Sequence, residues 1–547
     1  VNNEDFDVTR LTTTTGRPNP LEVRVDGGAV RGVAERGVLA WRGIPYAAAP
    51  VGPLRFRSPQ PAAPWPGVRD ARHFGPVAPQ LHRGQFVGAH PRIPQGEDCL
   101  NLNVLAPDTR ALGTPTETGK LRPVMVFIHG GAYSVGSSRQ VPRQGETLVQ
   151  AGDVIYVSFN YRLGALGYLD FTRYSTPERP FEANLGLRDQ VAALRWVHDN
   201  IRAFGGDPES VTLFGESAGG NAVTTLMTVP AAAGLFQRAI AQSAPANAVY
   251  PPLLTAEWAA DYVQILRHLV GSGAALANHA VGPAAADQAA REAADPVELL
   301  ASAHPDVLAL ATAVLTRQAP DNVPGTIPLC PVIDGDFLPE RPLDAFRDGR
   351  AHPVPLIIGT NAREGSLFSG RIDILASTPR RAKAVFRKTK KKARKAIKAQ
   401  YPGFPGRPAA LDFGGDYSFW YPSVKVGERH SRYAPVWFYR FDAAPRLVRR
   451  MGLDATHGLE MYPLFGRLNG VLGRGMTLLG GRRMFKSVGT RMQLWWLNFA
   501  TTGVPDAAWP RYEEGERATL IIDDVDRIEL DPRGDRRRAW TNFVPHL

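Results

Sequence analysis

Cysteine is nearly absent. Cys99 and Cys330 are the only two in 547 residues, too few for a disulfide framework and without metal-ligand spacing. The expectation is two buried thiols rather than a bridge. Long apolar runs are missing as well. VLALATAVL at 307–315 is among the longest, well short of the roughly 18 residues a membrane span needs. The first twenty residues, VNNEDFDVTRLTTTTGRPNP, lack the apolar core that directs secretion. A disordered polar tail is expected over 1–22 and a cytoplasmic location, with export left open by a sequence that begins with Val. Acids are the minority charge: Lys and Arg number 64 against 52 Asp and Glu, a net charge of +12.

That excess is local. The stretch RRAKAVFRKTKKKARKAIK (380–398) carries eleven basic residues and no acid, and 12 − 11 leaves +1 for the rest of the chain. A nucleic-acid surface would spread its cations and interleave aromatics for stacking, whereas Phe386 is the only aromatic here. No nucleic-acid partner is expected. Built as one helix, 380–398 aligns Phe386, Ala393 and Ile397 on a thin apolar stripe with cations around the rest. Two readings stand: a solvated surface helix, or a contact with an anionic membrane or lipid.

Apolar residues make up 44% and charged residues 21% of the chain, ordinary values for a globular protein. From about residue 123, β-branched runs alternate with helical patterns, which predicts an α/β fold with a mostly parallel sheet covered on both faces. Strands are predicted at PVMVFIHGG (123–131), DVIYVSFNYR (153–162), SVTLFG (210–215), VPLIIGTN (354–361) and PVWFYRFD (435–442). Leu187, Val191, Leu194, Val197 and Ile201 recur at helical spacing, and 217–229 reads as a second helix. No linker or repeat divides the series. A single domain is expected over 23–545, with helical insertions at about 246–325 and 366–425.

LFGESAGG (213–220) sets a serine between glycines two positions away on either side. With 54 Gly in the chain, roughly a quarter of comparable sequences would show G-x-S-x-G by accident. Context decides: Ser217 lies where a predicted strand turns into a predicted helix. Such a turn crowds the flanking positions, lifts the hydroxyl clear of the sheet and aims the helix N-terminus at it. A serine needs a base to take its proton and a carboxylate to hold that base. In this layout the acid and then the histidine follow in loops after later strands. Glu364 comes directly after VPLIIGTN, and His457 about fifteen residues after PVWFYRFD. Asp334 and Asp336 are rival acids in a turn-like DGD; His352, His430 and His546 are rival bases less well placed. HGGA (129–132) follows an earlier strand and suits a backbone donor loop for an oxyanion.

These segments resemble the type B carboxylesterases, relatives of the cholinesterases among the α/β-hydrolases. The resemblance runs from about 23 to 545. It includes WRGIPYAAAPVGPLRF (41–56), EDCLNLNV (97–104), HGGAYSVGS (129–137), NYRLGALGYL (160–169), GTNAREG (359–365), HGLE (457–460) and NFATTGVPDAAWPRY (498–512). It implies Ser217 as nucleophile, Glu364 as acid, His457 as base, and Gly131, Ala132 and Ala218 as oxyanion donors. It further implies Glu216 as a nearby charge and Ser243 as support for the acid and histidine. Two departures matter. Ala78 stands where disulfide-bearing members have cysteine, which argues for a reducing compartment or a bacterial-style member. The stretch LHRGQFVGAHPRIPQGED before Cys99 has no tryptophan, so choline esters, held by cation–π attraction, are not the expected substrates.

The expected activity is hydrolysis of small-molecule carboxylic esters through an acyl-enzyme, with no metal or organic cofactor, by a monomer. The alternatives are a lipase acting on aggregated lipid, or a hydrolase-fold binding protein with vestigial chemistry.

Overall fold

The computed structural model describes residues 20–81, 88–90, 92–108, 120–139, 145–271, 295–368, 374–387, 389–541 and 543. The tail expected over 1–22 falls mostly outside them, and Glu22 already begins a strand. His546 also lies outside.

Fourteen strands are present among the described residues. β1 (Glu22–Val25), β2 (Gly28–Arg31) and β5 (Val68–Asp70) form a small sheet. The large sheet contains β3 (Val33–Glu35), β4 (Val38–Pro45), β6 (Asn101–Pro107), β7 (Arg122–Ile128), β8 (Ile155–Phe159), β9 (Gly206–Glu216), β10 (Arg238–Gln242), β11 (Leu356–Asn361), β12 (Val436–Phe441), β13 (Ala518–Ile522) and β14 (Arg527–Leu530). Its order is β14-β13-β12-β11-β10-β9-β7-β8-β6-β4-β3. From β8 to β13 every neighbouring pair is parallel, and the two flanks are antiparallel. The central strands are buried along nearly their whole length, as a sheet covered on both faces requires. One apolar core lies on each side of it.

This sheet fixes the site before any side chain is considered. HGGA leaves β7, Ser217 leaves β9, Ser243 leaves β10, Glu364 follows β11 and His457 follows β12. All five therefore emerge at the carboxyl edge of parallel strands, where open α/β sheets place their ligands.

The insertion after residue 246 carries helices Pro252–Gly271, Pro296–Ser302 and Pro305–Asn322. Arg55 ties it to the body: its guanidinium pairs with Glu97 at 2.5 Å and donates to the carbonyls of Leu300, Ala301 and Ala303 at the end of the second helix. No single described helix is long and apolar enough to cross a membrane.

The basic stretch is not one helix. It forms Pro379–Arg387 and Lys391–Ala399, with Thr389 and Lys390 between them in non-helical conformation. The apolar stripe is buried: Phe386, Ala393 and Ile397 are all inside. Phe386 packs on Phe404, Phe413 and Phe543. The two short helices bring Phe386 and Ile397 into the same core. Cys99 and Cys330 are free and buried, and burial pushes both thiols well above their usual range.

Candidate active site

Ser217 sits between β9 and the helix Ala218–Leu226 with φ 59° and ψ −123°, outside the ordinary basins of a non-glycine residue. Its neighbours show what holds it there. A Cβ on Gly219 would stand 2.1 Å from the Ile128 carbonyl oxygen, and one on Gly215 would stand 2.6 Å from Gly219 backbone. The turn is thus pressed against the end of β7, and only glycine fits at either place. The Ser217 amide donates to the Gln242 carbonyl at 2.9 Å. Ser217 is half-buried, as is Glu216, while Ser243, Glu364 and His457 are buried.

Glu364 is 3% exposed and His457 8%. His457 Nδ1 meets Glu364 Oε2 at 2.7 Å. The other carboxylate oxygen accepts from Ser243 Oγ at 2.7 Å and from the Asn361 amide at 2.6 Å. Glu364 is thereby fixed at both oxygens, and the imidazole's orientation follows from it. His457 Nε2 makes no hydrogen bond. It faces Glu216 Oε1 at 3.3 Å without hydrogen-bond alignment. Glu216 immediately precedes Ser217 in the chain, and no hydrogen bond joins His457 Nε2 to Ser217. Hydrogen bonds of this kind are often long until substrate is in place.

Two aromatic rings flank the imidazole: Phe419 at 4.3 Å and Phe368 at 5.2 Å between centroids. Both come from the second insertion. Phe419 lies in a π-helical turn, Asp416–Trp420, a distortion that frequently marks functional sites. Arg536 and Tyr401 hold Asp416 at the start of that turn at 2.8 and 2.7 Å.

Behind the imidazole lies Glu460, fully buried. It accepts from Asn361 Nδ2 at 2.5 Å. Burial first, then the carboxylates of Glu216 and Glu364, pushes Glu460 up to about 8. Burial likewise raises Glu216 to about 7, against the opposing pull of His457. His457 is lowered by burial, but Glu216 and then Glu364 outweigh this and hold it up at about 9. One imidazole therefore stands in the field of three carboxyl groups, Glu364 and Glu460 buried and Glu216 half-buried.

The HGGA loop is shaped by backbone that favours glycine. Gly131 has φ +118°, and a Cβ there would stand 2.0 Å from the Val135 carbonyl oxygen. Ala132 and Tyr133 also have positive φ. Gly130 packs directly on the serine turn, where a Cβ would meet the Glu216 carbonyl at 2.5 Å and Ser217 Cβ at 3.1 Å. Among the described residues, no protein acceptor takes the amides of Gly131, Ala132 and Ala218. The loop is anchored by Tyr161, whose hydroxyl donates to the His129 carbonyl at 2.6 Å, and by Tyr133, whose hydroxyl donates to Asn221 at 2.6 Å.

The rival residues are accounted for. Asp334 accepts from Asn184 and from the amides of Asp336 and Leu338, a turn role. His352 and His430 pair through Nε2 with the carbonyls of Val229 and Val354. Sequence reasoning gave no role to Glu460, Phe368 or Phe419. Glu460 had a signal in the spacing of HGLE, whereas the phenylalanines reach the site from a remote insertion.

The model of the "Carboxylesterase family" matches residues 19–540. A para-nitrobenzyl esterase of Bacillus subtilis is 36% identical over 515 residues, covering 93% of this chain and 96% of its own. A fumonisin B1 esterase of Sphingopyxis macrogoltabida is 34% identical, covering 94% of this chain and 88% of its own. A solved PNB esterase structure superposes with a TM-score of 0.80 at 34% identity, over 96% of this chain and 100% of that one. The carboxylesterase EST55 of Geobacillus stearothermophilus gives 0.75 at 31%, over 95% and 100%.

Proposed function

This chain belongs to the carboxylesterase family, has the α/β-hydrolase fold and hydrolyses carboxylic esters, and from that premise we propose that Ser217, His457 and Glu364 carry the reaction. Ser217 Oγ attacks the ester carbonyl carbon while His457 Nε2 takes its proton. Glu364 holds the Nδ1 proton and stabilises the imidazolium that forms. The tetrahedral oxyanion accepts from the amides of Gly131, Ala132 and Ala218, aided by the positive end of the helix that begins at Ala218. The carbon–oxygen bond to the alcohol then breaks, and the alcohol departs with the proton from His457. Water attacks the acyl-serine, gives its proton to His457, and the acid leaves as Ser217 recovers its hydrogen.

The observation that carries this reading is the fixed carboxylate of Glu364, held by Ser243 and Asn361 on one oxygen and by the His457 ring on the other. A buried, doubly fixed carboxylate aimed at one imidazole nitrogen, with the other nitrogen making no hydrogen bond and facing the carboxylate that precedes the strained serine, suits proton transfer better than it suits stability.

Small-molecule esters are the proposed substrates. The test is hydrolysis of p-nitrophenyl esters from acetate to long acyl chains by wild type and Ser217→Ala. Turnover that depends on chain length and disappears in the variant is expected. Equal rates in the two proteins would refute the assignment. Contact of Lys390–Lys392 with an anionic surface would be by charge alone, since the apolar side of these helices is buried.

A further inference from the structure

A second surface combines what the 380–398 helices do not: exposed apolar side chains and unpaired cations. After Glu460 the chain runs to Asp506 without an acidic residue, while Arg467, Arg474, Arg482, Arg483, Lys486 and Arg491 fall between. Within this stretch Val471 is 85% exposed and Leu478 77%, with Leu472 and Leu479 also outside. Single exposed apolar residues need no explanation, but a contiguous group of large ones does.

These residues lie on elements that pack together. The short helix Val471–Met476 packs on the helix Arg446–Arg450. Gly481 lies on Pro445, with a notional Cβ 3.1 Å from its Cα, and Gly480 lies over the Arg446 side chain. Met451, 65% exposed, ends that helix and extends the apolar area. The segment is not loose: Leu468 and Phe485 are buried anchors at its two ends, and Arg482 donates to the Leu468 carbonyl at 2.7 Å. The fold therefore holds these leucines outward.

Charge selects the occupant. Among the described residues, no carboxylate lies within ion-pair distance of Arg446, Arg450, Arg474, Arg483 or Lys486. A second copy of the same face would set cation against cation. An anionic lipid surface matches both halves, since its headgroups neutralise the cations while the apolar side chains enter the boundary with the acyl chains. We propose that Met451 together with 466–486 forms a docking surface for anionic membranes or anionic lipid aggregates.

The test is co-sedimentation of the full chain with vesicles of phosphatidylcholine alone and of phosphatidylcholine mixed with phosphatidylglycerol. Wild type should bind the mixed vesicles, weakly or not at all the neutral ones, and lose binding as salt rises. The double variant Arg474→Gln/Arg483→Gln should bind about tenfold more weakly or worse, and Leu478→Ser/Leu479→Ser should also release the protein. Both should hydrolyse p-nitrophenyl acetate at the wild-type rate, which shows that they are folded. Lys390→Gln/Lys391→Gln/Lys392→Gln should retain binding. Absence of wild-type binding at low salt, undiminished binding by both patch variants, or loss confined to the Lys390–Lys392 variant would overturn the proposal. So would a wild-type dimer in solution that the leucine variant converts to monomer. Ester hydrolysis is read separately, so failure here leaves the assignment of Ser217 untouched.

Discussion

Ser243 has a backbone φ of 48°, unusual for serine, and its hydroxyl supplies one of the two hydrogen bonds on Glu364 Oε1. Ser243→Ala leaves that buried oxygen with the Asn361 amide alone. A lost hydrogen bond to a charged group costs about 1.5–3 kcal/mol, so kcat should fall about ten- to a hundredfold with KM little changed, as steady-state kinetics on a soluble ester would show. Glu216 acts differently. Its carboxylate, 3.3 Å from His457 Nε2, stabilises the protonated ring. His457 must be neutral to accept a proton, so kcat/KM should climb with pH toward about 9. Glu216→Gln removes the leading opposing charge, lowers the pKa of His457 and moves that acid limb to lower pH. An unmoved limb would mean that Glu216 does not set the ring's charge. Ser217 and Glu364 follow their strands closely and His457 follows its strand by about fifteen residues, so their position after successive strands could be read from the sequence. Glu460 showed only as a neighbour of His457 in HGLE; its role comes from Asn361, which donates to it from 99 residues away, and from the charges of Glu216 and Glu364.

At the scale of elements, the serine turn is a packing problem. Gly219 is the first-turn residue that lets the helix Ala218–Leu226 rest on the end of β7, with backbone 2.1 Å from where a Cβ would be. Backbone cannot swing aside as a side chain can. Gly219→Ala should cost about 1–3 kcal/mol or more, read as a lower midpoint in urea, and should depress activity because the loop bearing Gly131 moves with β7. Wild-type stability would show that the turn has slack. The strands of this region were readable from β-branched runs, but their ends were not. The helix expected to reach 229 stops at Leu226, before Pro230, because the segment bends through Thr228 and Val229. The single helix expected over 380–398 failed for a related reason. Periodicity in one segment carries no record of the Phe404 and Phe413 rings that its own Phe386 must meet.

Across the molecule, buried charge links the scaffold to the site. Arg162 and Asp189 form a fully buried pair with contacts of 2.6 and 2.8 Å, and Arg162 follows directly on Tyr161, which anchors the HGGA loop through His129. Removing one partner of such a pair leaves the other charge stranded, at about 3–5 kcal/mol. Asp189→Asn should therefore lower the denaturation midpoint strongly and, at temperatures where it still folds, reduce kcat through a displaced loop. The mostly parallel sheet was legible in the sequence, and so was the placing of Glu364 and His457 after two successive strands. The flanking of His457 by Phe368 and Phe419 was not, because it depends on how a large insertion folds back over the carboxyl edge of the sheet.

Ester hydrolysis by this chain turns on Ser217 as the nucleophile. The measurement that tests it most directly is peptide mass spectrometry after treatment with a fluorophosphonate, which phosphonylates only an activated serine. A single adduct on Ser217, formed at the rate at which ester hydrolysis is lost and missing from His457→Ala, is the predicted result. An adduct on another serine, or continued hydrolysis by protein fully modified at Ser217, would contradict it.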